Sequence, residues 1–204
     1  MKEVLIATNN TGKAKDFEVL FRPLGITVLT LQDIEESIDV EETGTTFVEN
    51  AILKAETVAN LLGKVVIADD SGLEVDALNG EPGVYSARYA GEPSNDEANI
   101  DKLLANLVEV PETARQARFR CVLAIAGPTI ETTTYSGSCE GFITDHRQGT
   151  NGFGYDPIFY VPSKEKTMAQ LSAEEKSAIS HRGAALAQLK ERLPEFIAKF
   201  GEMK

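Results

Sequence analysis

The chain has no tryptophan and has only two cysteines and two histidines. The histidines, His146 and His181, lie far apart with no cysteine cluster to join, which excludes an ordinary structural zinc cage. If Cys121 and Cys139 flank a hairpin turn near Gly127 and Pro128, Cys121 pairs with a residue near 134 or 135. Cys139 then stands on the order of 13–17 Å along the strand, beyond the ~7 Å that a disulfide spans between Cα atoms. Two reduced thiols and a cytoplasmic location are therefore expected. No run of about 18 apolar residues is present, which excludes a transmembrane helix. The apolar stretch after Met1-Lys2-Glu3 is too short for a secretory signal. Basic residues are also scarce, with 20 Lys and Arg against 32 Asp and Glu and a net charge of −12. That excludes charge-driven binding to nucleic acid polymers or anionic membranes, although a local basic pocket can still hold a small anion.

What is present is the composition of a soluble globular protein: 204 residues, 42% hydrophobic and 25% charged. The length suits one domain, or two lobes wrapped round one cleft. Val4-Leu5-Ile6-Ala7, Ile26 to Leu31 and Val65-Val66-Ile67-Ala68 read as strands. Phe17, Leu20, Phe21 and Leu24 mark a first helix, and Phe47, Ala51, Ala55, Val58 and Leu62 mark a second, introduced by Thr45-Thr46 and ended by Gly63. Ser94 with Glu97 and Ser172 with Glu175 are capping-box patterns. Arg118 to Ala126 and Ile130 to Ser136 predict an antiparallel hairpin, and Ile158 to Val161 a further strand. Leu186, Leu189, Leu193, Phe196, Ile197 and Phe200 form the apolar face of a last helix, with Pro194 a kink or restart. Strand–helix alternation followed by a hairpin predicts an α/β fold with a mixed sheet.

Four segments could carry chemistry, and each has a plainer reading. Thr8-Asn9-Asn10-Thr11-Gly12-Lys13 joins a strand to a helix, where free backbone N–H groups suit a phosphate, with Lys13 and Lys15 beside it. Ala7 and Ala14 stand where a Walker loop needs Gly and Ser or Thr, so the segment is either a different phosphate loop or an ordinary polar turn. Asp69-Asp70-Ser71-Gly72 closes an apolar strand. One carboxylate could face a ligand while the other accepts backbone N–H bonds, and a partner from Glu41-Glu42 would complete a hard-oxygen Mg²⁺ site. An Asx turn explains the same residues. Gly152-Phe153-Gly154-Tyr155-Asp156-Pro157 could lay a ring on a flat base or simply plug the core. Ser180-His181-Arg182-Gly183 could donate to a carbonyl or phosphate oxygen, or cap a helix and pair with nearby acids.

Together these segments, with Glu41 to Ala51 and Gly83-Val84-Tyr85-Ser86-Ala87-Arg88-Tyr89, closely resemble the inosine triphosphate pyrophosphatase family in its bacterial dITP/XTP pyrophosphatase form. The resemblance runs in order along nearly the whole chain, read as a single domain over residues 1–204. It implies an elongated two-lobed α/β fold around a twisted mixed sheet, a cleft between the lobes, and a homodimer. It also implies Mg²⁺-dependent hydrolysis of ITP, dITP and XTP to the monophosphate and pyrophosphate. Carried over by position, Thr8, Asn9, Asn10, Thr11, Gly12 and Lys13 hold the triphosphate, and Lys54 faces the phosphates. Asp70 activates water and takes part in metal binding, with Glu42 the second metal carboxylate and Glu41 the fallback. Ser71, Phe153, Gly154, Tyr155, Asp156, Lys176, His181 and Arg182 bind substrate.

Two other classes compete with this expectation. A regulator of the same fold would bind the nucleotide without hydrolysing it, against which Asp70, Glu42 and Lys13 count. An aspartyl-nucleophile phosphatase needs a second Asp two residues after the first, a spacing that Asp69-Asp70-Ser71 lacks.

Overall fold

The computed structural model describes residues 3–8, 11–34 and 38–201. Its strands are β1 (Glu3–Ile6), β2 (Thr27–Thr30), β3 (Val66–Val75), β4 (Gln116–Gly127), β5 (Ile130–Ile143), β6 (Phe159–Val161) and β7 (Lys166–Thr167). Its α-helices are α1 (Thr11–Phe21), α2 (Phe47–Leu62), α3 (Asp96–Asn106), α4 (Ala173–Ile179) and α5 (His181–Gly201). The seven strands form one mixed sheet in the order β2-β1-β3-β4-β5-β6-β7. β1 pairs parallel with both β2 and β3, while β6 pairs antiparallel with β5 and β7. β4 and β5 are sheet neighbours joined by only Pro128-Thr129, a link that only antiparallel strands permit.

The chain divides into two compact units: Met1–Asp70 with Cys121–Ser136 and Arg182–Lys204, and Ser71–Arg120 with Gly137–His181. In the first unit, Val4 and Ile6 of β1 and Ile67 of β3 pack with Phe17 and Phe21 of α1 and with Ala185, Leu189 and Leu193 of α5. The i, i+4 spacing of those helical residues puts each set on one face. α2 starts where its sequence dictates: Thr46 Oγ1 accepts from Glu49 N at 3.1 Å, and Glu49 Oε2 accepts from Thr46 N at 3.2 Å. Gly63 ends the helix with a φ of 61°, a value that favours glycine. The second unit packs Leu73 and Val75 with Ile100 and Leu103 of α3, with Leu107 just after that helix, and with Phe119, Tyr155 and Phe159.

Three expectations are corrected. β3 does not stop before Asp69 but runs on to Val75: Lys13 of α1 and Arg182 of α5 pair with Asp69, and the residues beyond the aspartates are mostly buried. The α3 cap is Asn95, whose side chain accepts from Ala98 N at 3.0 Å; Ser94 instead donates to the Ala87 carbonyl. His181 and Arg182 do not precede the last helix but open it, and α5 continues through Pro194. Both cysteines are free and buried, as expected. Among the described residues, no helix is long and apolar enough to cross a membrane.

Candidate active site

In the first unit the charged residues converge on β3. Successive strand side chains point to opposite faces, so Asp69 and Asp70 meet different neighbours. Asp69 is 1% exposed and lies 2.5 Å from Lys13 Nζ through Oδ1. Its Oδ2 accepts from Arg182 Nη2 at 3.2 Å and Nε at 3.4 Å, and from the Cys121 thiol at 3.7 Å. Burial opposes charge on Asp69, but Lys13 and Arg182 outweigh it and hold the carboxyl well below the usual range. Arg182, 6% exposed, also reaches Asp16 Oδ2 of α1 at 3.4 Å. The expectation that one aspartate holds the loop through backbone N–H bonds is thus replaced by a buried ion-pair chain. The guanidinium of Arg182 is engaged inside the fold.

Asp70 is buried too, but its surroundings act the other way. Burial first and the Glu42 carboxylate second push it up to about 6, against Lys54, Asn50 and Lys13. Lys54, on α2, forms an ion pair with Glu42 Oε1 and donates to the Asp69 carbonyl at 3.3 Å. The unit therefore brings Glu42, Lys54, Asp70 and Lys13 together, whereas Glu41 is exposed. Thr8 is buried just before α1. Asn9 and Asn10 lie outside the described residues, and α1 opens at Thr11-Gly12.

A buried carboxylate held near 6 beside a second carboxylate is short of positive charge, which suits a hard divalent cation. Among the described residues no cluster of three or more His, Cys, Asp or Glu forms a metal cage. A cation on Glu42 and Asp70 would therefore complete its shell with water and substrate oxygens, the usual habit of Mg²⁺.

The second unit holds the remaining candidates. Phe153 N donates to Asp156 Oδ2 at 3.0 Å, and the same oxygen pairs with Lys176 of α4. Lys176 Nζ lies 4.9 Å from the centre of the Phe153 ring, which is 52% exposed. Gly152 makes this possible: with φ at 83°, a Cβ there would fall 2.0 Å from Asp156 Oδ2. Gly154 N donates to Asp96 Oδ2 at 2.8 Å. Tyr155 is the core plug of the plainer reading, buried with its hydroxyl on the Ser86 carbonyl at 2.8 Å. His181 stacks on Phe119 with ring centres 5.0 Å apart and planes 17° apart. Ser71 is half-buried on β3.

Sequence reasoning assigned no role to Asn50, Asp16 or Asp96. Asn50 alone carried a signal, as a polar residue on the apolar stripe of α2.

The Ham1 family model matches residues 4–192. The dITP/XTP pyrophosphatase of Bacillus licheniformis is 58% identical over 189 residues, covering 93% of this chain and 96% of the relative. That of Bacillus cereus is 56% identical over 198 residues, covering 96% and 97%. The solved Ham1 protein of Staphylococcus aureus is 56% identical with a TM-score of 0.88, covering 95% of this chain and 99% of its own.

Proposed function

This chain belongs to the Ham1 family, and from that membership and the charge pattern on β3 we propose that it is a dITP/XTP pyrophosphatase. Its reaction is the hydrolysis of ITP, dITP and XTP to the monophosphate and pyrophosphate, removing deaminated purines from the nucleotide pool. The activity named for its relatives is the one the six sequence segments implied. The family match spans both compact units, which supports a single catalytic domain.

The observation that carries the reading is the contrast between adjacent aspartates: Asp69 locked as an anion, Asp70 pushed up to about 6. A base poised near neutral pH is what proton removal from an attacking water needs. Asp70 takes that proton as water attacks the α-phosphorus, and the α–β phosphoanhydride bond breaks with pyrophosphate leaving. Lys13, held by Asp69, and Lys54 offset charge on the phosphate oxygens. Glu42 and Asp70 would hold Mg²⁺, which supplies Lewis-acid stabilisation of the phosphates when bound. The loop from Thr8 through Asn9, Asn10, Thr11 and Gly12 would bind the triphosphate with backbone N–H groups at the start of α1.

In the second unit the exposed Phe153 ring suits stacking on a purine, with Lys176 and Asp156 ordering its loop. Gly154 and the buried Tyr155 would act through backbone groups, while Ser71 and His181 present side-chain donors. Donors aimed at a 6-oxo group are left unpaired by adenine, a device able to discriminate by about 10⁴-fold. Arg182 would serve through Asp69 as long as it keeps the partners seen here. We also assign a cytoplasmic location and a homodimeric state, and no binding to nucleic acid polymers or anionic membranes, the last of which the net charge of −12 supports. Light scattering tests the dimer.

Product analysis tests the function. Incubation of ITP with Mg²⁺ is expected to release pyrophosphate far faster than ATP or GTP does. Orthophosphate as first product, or equal rates on ATP, overturns the reading.

A further inference from the structure

Phe153, the ring proposed to meet the purine, stands between Gly152 and Gly154, whose φ angles are 83° and 58°. Glycines restrain the chain least, and the ring is 52% exposed, so packing holds it only in part. Its direction is set by the two peptide planes that meet at its Cα. The plane before it is fixed within the loop, where Phe153 N donates to Asp156 Oδ2 at 3.0 Å. The plane after it is held at one end by the loop, through Asp156 N on the Phe153 carbonyl at 3.3 Å. At its other end Gly154 N donates to Asp96 Oδ2 at 2.8 Å, a carboxylate from outside the loop and a strong acceptor for a backbone N–H.

Asp96 offers a fixed reference point. It is the first residue of α3, a helix capped by Asn95 and anchored in the core by Ile100 and Leu103, both 0% exposed. The same helix grips the chain ahead of the loop, where Arg147 Nε donates to Glu97 Oε2 at 2.9 Å and its Nη2 to Asp101 Oδ1 at 2.7 Å.

We propose that Asp96 is a positioning residue that fixes the direction of the Phe153 ring and thereby determines specificity for the base, with Arg147 bracing the loop against the same helix. The inference deepens the proposed function and rests on Phe153 meeting the purine. Exposed contacts of this kind add little to global stability, and their effect is on the surface that a purine meets. A stacking face accepts any base. Telling a 6-oxo from a 6-amino purine therefore requires the ring to hold the base in one register against polar groups.

Asp96→Ala removes the acceptor and Asp96→Asn keeps one, while both lose the negative charge that favours a helix N-terminus. The position is exposed and tolerates either residue. Asp96→Ala is expected to raise KM for ITP about 10-fold and to lower the ITP-to-ATP ratio of kcat/KM about 10-fold, with kcat changed by less than about 3-fold. Asp96→Asn is expected to stay within about 3-fold of the wild type in both. A role confined to the helix charge would make the two variants alike and leave the ratio unmoved. An unchanged ratio in Asp96→Ala, or an Asp96→Asn enzyme as impaired as Asp96→Ala, overturns the proposal. A wild type that releases no pyrophosphate overturns the functional reading instead. Titration calorimetry with IMP then tests Asp96 by itself: a Kd weakened about 10-fold in Asp96→Ala supports the proposal, and an unchanged Kd overturns it.

Discussion

Asp69 and Asp70 are consecutive residues of β3 whose carboxyl groups are driven in opposite directions, the first held anionic by Lys13 and Arg182 and the second pushed up to about 6 by burial and Glu42. The strand's two-residue period is the cause, since neighbouring side chains face different sides of the sheet. One acid is locked in ion pairs and the other sits where its charged form is disfavoured, a contrast that suits the catalytic role proposed for Asp70.

The strain on Asp70 is measurable as stability. Its folded pKa of about 6 lies above the ordinary 3.8, so the folded state binds the extra proton and stability falls as pH rises between these values. Above about pH 6 the cost levels off at roughly 3 kcal/mol, at about 1.4 kcal/mol per unit. Asp70→Asn should therefore abolish turnover yet stabilise the metal-free protein at neutral pH. Urea denaturation in EDTA is expected to show that gain at pH 7 and none near pH 3.5. Added Mg²⁺ should then stabilise the wild type and leave Asp70→Asn unmoved.

Asp69→Asn should do the reverse. It leaves Arg182, 6% exposed, and the partly buried Lys13 without their shared counter-charge. Breaking such a buried pair costs about 3–5 kcal/mol. Because the Asp69 pKa is lowered in the fold, its stabilising share is present above 3.8 and is lost as pH falls through the folded value. The two single variants thus have opposite signs in one denaturation experiment at pH 7, and a shared sign would contradict the division of labour on β3.

These contrasts mark where sequence reading succeeds and where it stops. The helix starting after Thr46, the Ser172 cap and the strand β1 are legible because caps and short apolar runs are local signals. The early end assigned to β3 failed because acids normally leave a sheet, and only the long-range partners Lys13 and Arg182 let Asp69 stay. The Asn95 cap was missed for a similar reason: Ser94 fits the pattern but is drawn to the Ala87 carbonyl. Family resemblance placed Glu42 and Lys54 in the site, but the hydrogen bond from Gly44 N to Asn50 Oδ1 depends on a backbone approach that no residue pattern announces.

The thiols supply a simple check on the fold. Cys121 and Cys139 are both free and buried, and burial pushes the Cys139 thiol up to about 11 and the Cys121 thiol further. The thiolate is the reactive form, so both should resist alkylation in the native protein. Titration with a thiol reagent is expected to find two reactive groups after denaturation without reductant, and almost none before. Reaction of either at the rate of a free thiol in the native state would contradict the packing of that strand.

Gly152→Ala isolates the loop of the second unit. Its φ of 83° disfavours any side chain, and a Cβ would fall 2.0 Å from Asp156 Oδ2 and 3.2 Å from Lys176 Nζ. The carboxylate must move, and with it go the bond from Phe153 N and the ion pair to Lys176. None of these contacts involves Asp70, Glu42 or Lys54, so the chemical step is expected to be spared while the loop proposed to hold the purine is not. The expected result is a KM for ITP raised by about 10-fold or more with kcat reduced far less, the signature of lost substrate binding. Discrimination against ATP should fall in parallel if Phe153 and its neighbours read the base. An unchanged KM, or a loss confined to kcat, would move the base-binding role away from this loop.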